Sequence, residues 1–133
     1  MRATEIGLHT SDREMLVEIT RQLEAHVAEQ GWHEGMLVVH APHTTAGLFM
    51  TENADPDVPR DIMAALSRMA PADGPWIREG RNSDAHTKAV LTGQRVTIPV
   101  LGGKMQLGRW QGVFFAEFDG PRDRTIRLYF TQG

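Results

Sequence analysis

Short apolar runs separated by turn residues organise the N-terminal part of the chain. Ala3–His9 and Met15–Ile19 read as strands on either side of the turn-like Thr10-Ser11-Asp12. Thr20 is placed to cap a helix whose apolar positions Leu23, Val27 and Ala28 turn one face inward, and Gly31 supplies the left-handed residue that closes it. Met36–Val39 is a buried-strand run and Ala46–Thr51 a second, joined by Ala41–Thr45. Asp55-Pro56-Asp57 offers cap and first-turn chemistry for a helix through Met69. In it Val58, Ile62, Ala65, Leu66 and Met69 share a face, and Pro59 fits the first turn.

Pro71–Pro75 forces a loop, and Asp84–Leu91 is a short helical candidate closed by Gly93. Arg95–Leu101 reads as a strand before the tight turn Gly102-Gly103, and Val113–Phe118 and Thr125–Phe130 as two more around Asp119-Gly120-Pro121. Strands outnumber helices, and no repeat or linker interrupts the pattern. The expectation is one α+β domain over residues 1–133. Its largely antiparallel sheets pack face to face in a sandwich or barrel-like core, with two main helices and a short third.

Composition narrows the chemistry more than the fold. A net charge of −3 gives no overall basic field for nucleic acid or an anionic membrane, so a phosphate ligand requires a local cationic site. No apolar run approaches a membrane span and the first residues do not resemble a signal peptide, which points to a cytoplasmic protein. The absence of cysteine removes disulfides, thiolate nucleophiles and cysteine zinc sites, leaving histidines and carboxylates as metal ligands.

Four segments carry candidate chemistry. His43-Thr44-Thr45 precedes a strand that ends in Glu52-Asn53; imidazole, carboxylate, hydroxyl and amide together can move protons and orient a polar ligand. A straight strand puts His43 and Glu52 about 25 Å apart, so they share a site only through a curled connection or across a subunit interface. Turn hydroxyls and a helix cap are the alternative. In Asn82–Lys88, Asp84 and Lys88 are i,i+4 neighbours that suit an exposed pair worth about 0.3–0.5 kcal/mol; Asp84 also suits a cap, and His86 a surface or core position. In Gly108–Gly112, Trp110 reads as a core or interface anchor. Gln111 and Glu117 share strand parity, and Glu117, among Phe114, Phe115 and Phe118, either points inward with compensating donors or outward as edge polarity. Asp119–Arg124 reads as a charged hairpin whose arginines could also hold a phosphate.

Taken in order, PHTTAGLFMTENADPDV, DAHTKAVLTG, IPV, LGRWQGVFFAE and GPRDR resemble the YjbQ family, also described as secondary thiamine-phosphate synthase enzymes, over essentially the whole chain. The family's usual Gly-Thr-Trp-Gln is Gly108-Arg109-Trp110-Gln111 here, a long cation replacing a small hydroxyl. The resemblance implies a compact two-sheet domain, a homotrimer and a polar pocket near the subunit interface. It points to His43, Glu52, His86 and Glu117 as catalytic candidates, and to Thr44, Asn53, Asp84, Lys88 and Gln111 as substrate-binding ones. The implied activity joins a hydroxymethylpyrimidine diphosphate to a thiazole phosphate with release of pyrophosphate, usually with Mg²⁺. A competing reading makes His43 and His86 imidazole ligands of a divalent metal, Mg or Zn, with Glu117 or Glu52 as the carboxylate, acting on another phosphorylated metabolite. A third is a trimer that binds an anion or metabolite without catalysis.

Overall fold

A computed structural model describes residues 1–78 and 80–133. Buried and exposed positions alternate strictly along Arg95–Leu101, with Val96, Ile98 and Val100 inward, which makes that segment a strand with one wet face. Gly112–Glu117 is buried at every position and therefore needs cover on both faces. Among the described residues, two antiparallel sheets and three helices meet these demands. The strands are β1 (Arg2–His9), β2 (Met15–Glu18), β3 (Gly35–His40), β4 (Ala46–Glu52), β5 (Arg95–Leu101), β6 (Lys104–Met105), β7 (Gln111–Glu117) and β8 (Asp123–Gln132). The helices are α1 (Thr20–Gln30), α2 (Asp57–Met69) and α3 (Ser83–Thr92).

Sheet A has the order β1-β8-β3-β5-β6 and sheet B the order β2-β7-β4, every pair antiparallel. The main core lies between the inner faces of both sheets, where Leu37, Val39, Ile98, Ile126 and Leu128 meet Leu48, Val113 and Phe115, with Leu23 and Val27 of α1. A second cluster covers the outer face of sheet B: Ala116 and Phe118, opposite in phase to Phe115, pack with Leu66 of α2 and with Ala85 and Ala89 of α3. The expected α+β sandwich is therefore the architecture.

The details correct several readings. Thr20 does not cap α1: its hydroxyl donates to Glu18 Oε2 (2.8 Å) and accepts the Val113 N–H (2.9 Å), while Gly31 closes the helix with φ 66°. Met69 leaves the apolar face of α2 and is exposed; Trp110 is exposed as well, with the Arg109 guanidinium 4.8 Å from its ring centroid. Asp119–Arg124 is not a hairpin, because it carries the chain from β7 in sheet B to β8 in sheet A. Ala41–Thr45 likewise crosses from β3 in sheet A to β4 in sheet B. The two crossings lie side by side, tied by the Phe118 N–H donating to the Thr45 carbonyl (3.1 Å).

Close packing of α3 on β4 fixes where the first turn of that helix sits. The Leu48 N–H donates to the Gly93 carbonyl (3.0 Å), and a Cβ at Gly47 would run into Thr92 Oγ1 and lie 2.9 Å from the Gly93 carbonyl oxygen. Gly47→Ala is expected to cost about 1–3 kcal/mol, seen as a lower urea midpoint with an unchanged m-value.

Candidate functional site

Where the chain changes sheets, the ladder runs out before the strands do. β3 ends at His40, opposite Arg127 of β8, so Thr125 extends beyond it with no strand partner on that side. His43 takes the vacant place: the Thr125 N–H donates to its Nε2 (3.0 Å). Nε2 also lies 3.1 Å from the Thr125 carbonyl oxygen, so one neutral tautomer accepts the amide proton there and the other donates to the carbonyl. Burial and then the nearby Arg124 charge outweigh the Thr125 hydrogen bond and hold the His43 pKa below the usual histidine value, which favours the neutral ring.

Beneath this loop lies a buried ion pair. Glu117 and Arg124 are both buried; Arg124 Nε donates to Glu117 Oε1 (2.8 Å), and Nη2 donates to Glu117 Oε2 and to Thr45 Oγ1 (2.9 Å). The Thr10 hydroxyl donates to Glu117 Oε1 (2.7 Å), and the Asp119 N–H to Oε2 (3.0 Å). Burial alone pushes the Glu117 pKa up, but Arg124, the Asp119 amide and Thr10 together hold it below the ordinary glutamate value. Of the two orientations open for Glu117, the inward one with compensating donors is found.

Arg122 and Asp119 form a second, more exposed pair, with Nη2 donating to Asp119 Oδ2 (2.9 Å) and Nε to the Asp119 carbonyl (2.7 Å). Asn82, just before α3, donates to the same carboxylate (2.8 Å). Burial raises the Asp119 pKa, and Asn82 and Arg122 outweigh it, so the net direction is down. The space between the two crossings and the start of α3 is an open cleft of about 370 Å³, lined by Pro42, His43, Thr44, Thr45, Asn82, His86, Arg122 and Arg124. A hollow of about 300 Å³ beside Trp32 and Phe130 is comparable, so chemistry rather than size selects the site.

His43, Thr44 and His86 thus come together within one chain, with Glu117 behind Arg124. His86 is half-buried on the first turns of α3; its backbone N–H donates to the Asn82 carbonyl (3.3 Å), and its ring makes no hydrogen bond among the described residues. Asp84 and Lys88 do not line this cleft. They are buried on another side of α3, where Arg13 holds Asp84 in a fork (3.0 and 3.2 Å) and Lys88 Nζ donates to Glu14 (2.9 Å) and Asp84 (3.4 Å). The exposed pair suggested by their spacing is a buried network, and Asp84 makes no helix cap. Glu52, Asn53 and Gln111 stand at the far end of β4. Glu52 faces Gln111 in register and accepts the Asp55 N–H (3.3 Å), Asn53 donates to Glu18 (2.9 Å), and Gln111 accepts the Gly108 N–H (2.8 Å).

The sequence offered Arg124 only as an arginine of a charged hairpin that could hold a phosphate, and its buried pairing with Glu117 went unread although a signal existed. Along β8, Arg124 is in phase with Ile126, Leu128 and Phe130, all buried. An arginine in the inward register of a core strand demands a carboxylate partner.

Fold and cleft together define a class of two-sheet α+β proteins with a polar cleft at a double sheet crossing. The YjbQ-like UPF0047 family profile matches residues 4–133, and the chain belongs to that family. It is 46% identical over 117 residues to a UPF0047 protein of Methanocaldococcus jannaschii, covering 88% of this chain and 85% of that one. It is 41% identical to YugU of Bacillus subtilis, covering 92% and 94%. A crystal structure of a Clostridium acetobutylicum protein described as an uncharacterized conserved member of the YjbQ/UPF0047 family superposes with a TM-score of 0.91 at 44% identity, covering 96% of this chain and 99% of that one. A hypothetical protein of Aeropyrum pernix K1 superposes with a TM-score of 0.93 at 32% identity over the whole of both chains.

Proposed function

We propose that the chain is a small-molecule enzyme whose phosphorylated substrate binds in the cleft between His43, His86, Arg122 and Arg124. The observation that carries this reading is the convergence of two imidazoles and two guanidinium groups, beside the first turn of a ten-residue helix, in a chain of net charge −3. Guanidinium forks and helix N-termini are the elements that hold phosphoryl oxygens. Within that class, the finer reading is thiamine-phosphate synthase chemistry as a side activity. In the tautomer that accepts the Thr125 amide at Nε2, His43 would offer Nδ1–H to a phosphoryl oxygen; Arg122 would steady developing negative charge, and His86, whose ring nitrogens have no partner among the described residues, would carry a proton.

A divalent ion at His43 and His86 is the second reading, favoured by the two imidazoles in one cleft. They suit zinc better than magnesium, which prefers oxygen ligands. Among the described residues no group of three or more His, Asp or Glu side chains could hold a metal ion, and Glu117 and Asp119 are committed to arginines. A third donor would therefore come from substrate or from a neighbouring copy. A homotrimer would also bring the Glu52–Asn53–Gln111 end of one copy towards the cleft of another. Exposed Val90, Leu91, Met69 and Trp110 offer apolar surface for such contacts. A cytoplasmic protein acting on small molecules rather than nucleic acid suits the acidic charge, and no described helix is long and apolar enough to cross a membrane.

The test is pyrophosphate release from hydroxymethylpyrimidine diphosphate plus thiazole phosphate, with added magnesium, added zinc and chelator, alongside light scattering. Slow release that inorganic phosphate inhibits is the expected result. Release unaffected by His43→Gln would reject the cleft as the site, and a persistent single-chain mass would reject any site completed by a neighbour.

A further inference from the structure

The described hydrogen bonds of Arg124 leave one part of its guanidinium unspent. A guanidinium carries five N–H donors. Nε uses its proton on Glu117, and Nη2 uses its two on Glu117 and Thr45. Nη1 has no protein partner among the described residues. It is not sealed off either: the buried side-chain nitrogens and oxygens without a partner reduce, among those residues, to Trp32 Nε1. Arg124 is only 6% exposed and is among the residues that line the cleft, so the cleft is where an unpaired Nη1 that is not sealed off can be reached.

We infer that Arg124 contacts the ligand through Nη1, that Glu117 is the positioning residue that aims it, and that the group recognised is a terminal phosphoryl. The inference rests on the reading of the cleft as a phosphate-binding site. Two N–H bonds on one planar nitrogen, beside the Arg122 guanidinium and the Nδ1 edge of His43, converge on a tetrahedral oxyanion from different directions. The clamp on Glu117 and Thr45 fixes the plane of the fork, so little conformational entropy is lost when the anion arrives. Glu117 thereby leaves the set of catalytic candidates: no ligand reaches a fully buried carboxylate whose oxygens are filled by Arg124, Thr10 and the Asp119 amide.

Titrating the wild-type protein with inorganic phosphate, while following the ¹⁵N resonances of the Arg124 guanidinium and the His43 ring, tests this directly. Both are expected to shift and to saturate at the same concentration. Arg124→Lys retains a cation beside Glu117 but has no second nitrogen to offer, and it is expected to weaken phosphate binding tenfold or more. Glu117→Gln separates aiming from simple charge: removal of a negative charge would tighten anion binding, whereas loss of the clamp weakens it. Should His43 shift while Arg124 stays still, the cleft binds phosphate without Arg124 and this inference falls alone. If neither resonance moves, the phosphate reading of the cleft falls with it. Tighter binding by a folded Glu117→Gln would overturn the positioning role. Should either variant fail to fold, the wild-type titration still decides the contact.

Discussion

Asp84→Ala is expected to lower stability by about 3–5 kcal/mol, the loss that follows when one partner of a buried ion pair is removed. Asp84 is buried, and its removal leaves Lys88, equally buried, with only the half-buried Glu14 as a partner. Arg13 is partly exposed and returns to water, so the penalty falls on the ammonium group. Replacing both buried charges, Asp84→Leu with Lys88→Met, removes the orphan and should recover most of the loss; urea unfolding of the three proteins measures both steps. An Asp84→Ala protein as stable as the parent would show that the network carries no net weight.

The same carboxylate links stability to pH. Burial raises the Asp84 pKa, but the fork to Arg13 and the Lys88 charge outweigh it, and the folded value lies below the ordinary aspartate value. Glu117 and Asp119 are displaced in the same direction. A group whose pKa is depressed on folding contributes stability above its unfolded value, about 4, and loses it as pH falls through the lower folded value. The protein should therefore lose melting temperature modestly as pH falls below about 6.5, where the depressed His43 leaves the unfolded chain binding more protons, and steeply below about 4, where the three carboxylates do the same. In the double variant the acid limb should be shallower, by up to about 1.4 kcal/mol per pH unit for the missing aspartate.

How far the fold could be read from sequence follows from which interactions are local. The strand runs at β3, β5 and β7, the Gly31 stop and the Pro59 entry to α2 depend on neighbours within a few residues, and they stand as expected. Sheet membership is a different kind of fact. Nothing within Ala41–Thr45 or Asp119–Arg122 distinguishes a hairpin from a crossing between sheets, because the difference lies in which remote strand takes up the ladder. The same reason hid the burial of Lys88. An i,i+4 Asp–Lys pair looks like surface chemistry until Arg13 and Glu14, more than seventy residues away, close over it. His43 and His86 were paired in the sequence only as ligands of a shared metal, and Glu52 stands a whole strand from His43, the separation its position at the end of β4 implied. The two crossings supply what the linear pattern lacked, since they bring Arg124 under Thr45 and His43 against Thr125.

His86→Ala is expected to reduce turnover by roughly 10²–10⁴-fold, the range for removing a positioned proton carrier, while shifting stability by less than about 1 kcal/mol. The two effects separate because of what His86 does not do. Its ring is half-buried and engages no protein group among the described residues, so truncation orphans no donor or acceptor and leaves the Asp84–Lys88 anchor of α3 intact. His43→Gln provides the contrast. That ring is hydrogen-bonded through Nε2 to the Thr125 backbone, so the variant is expected to lose both activity and some stability, by about 1–3 kcal/mol if the glutamine amide fails to reach the same backbone groups. Pyrophosphate release and thermal melting on the same preparations distinguish the cases. A His86→Ala protein that melts normally and turns over at the parental rate would exclude His86 as a proton carrier. It would leave the cleft with His43 and the arginines alone, which is an anion-binding site rather than a catalytic one.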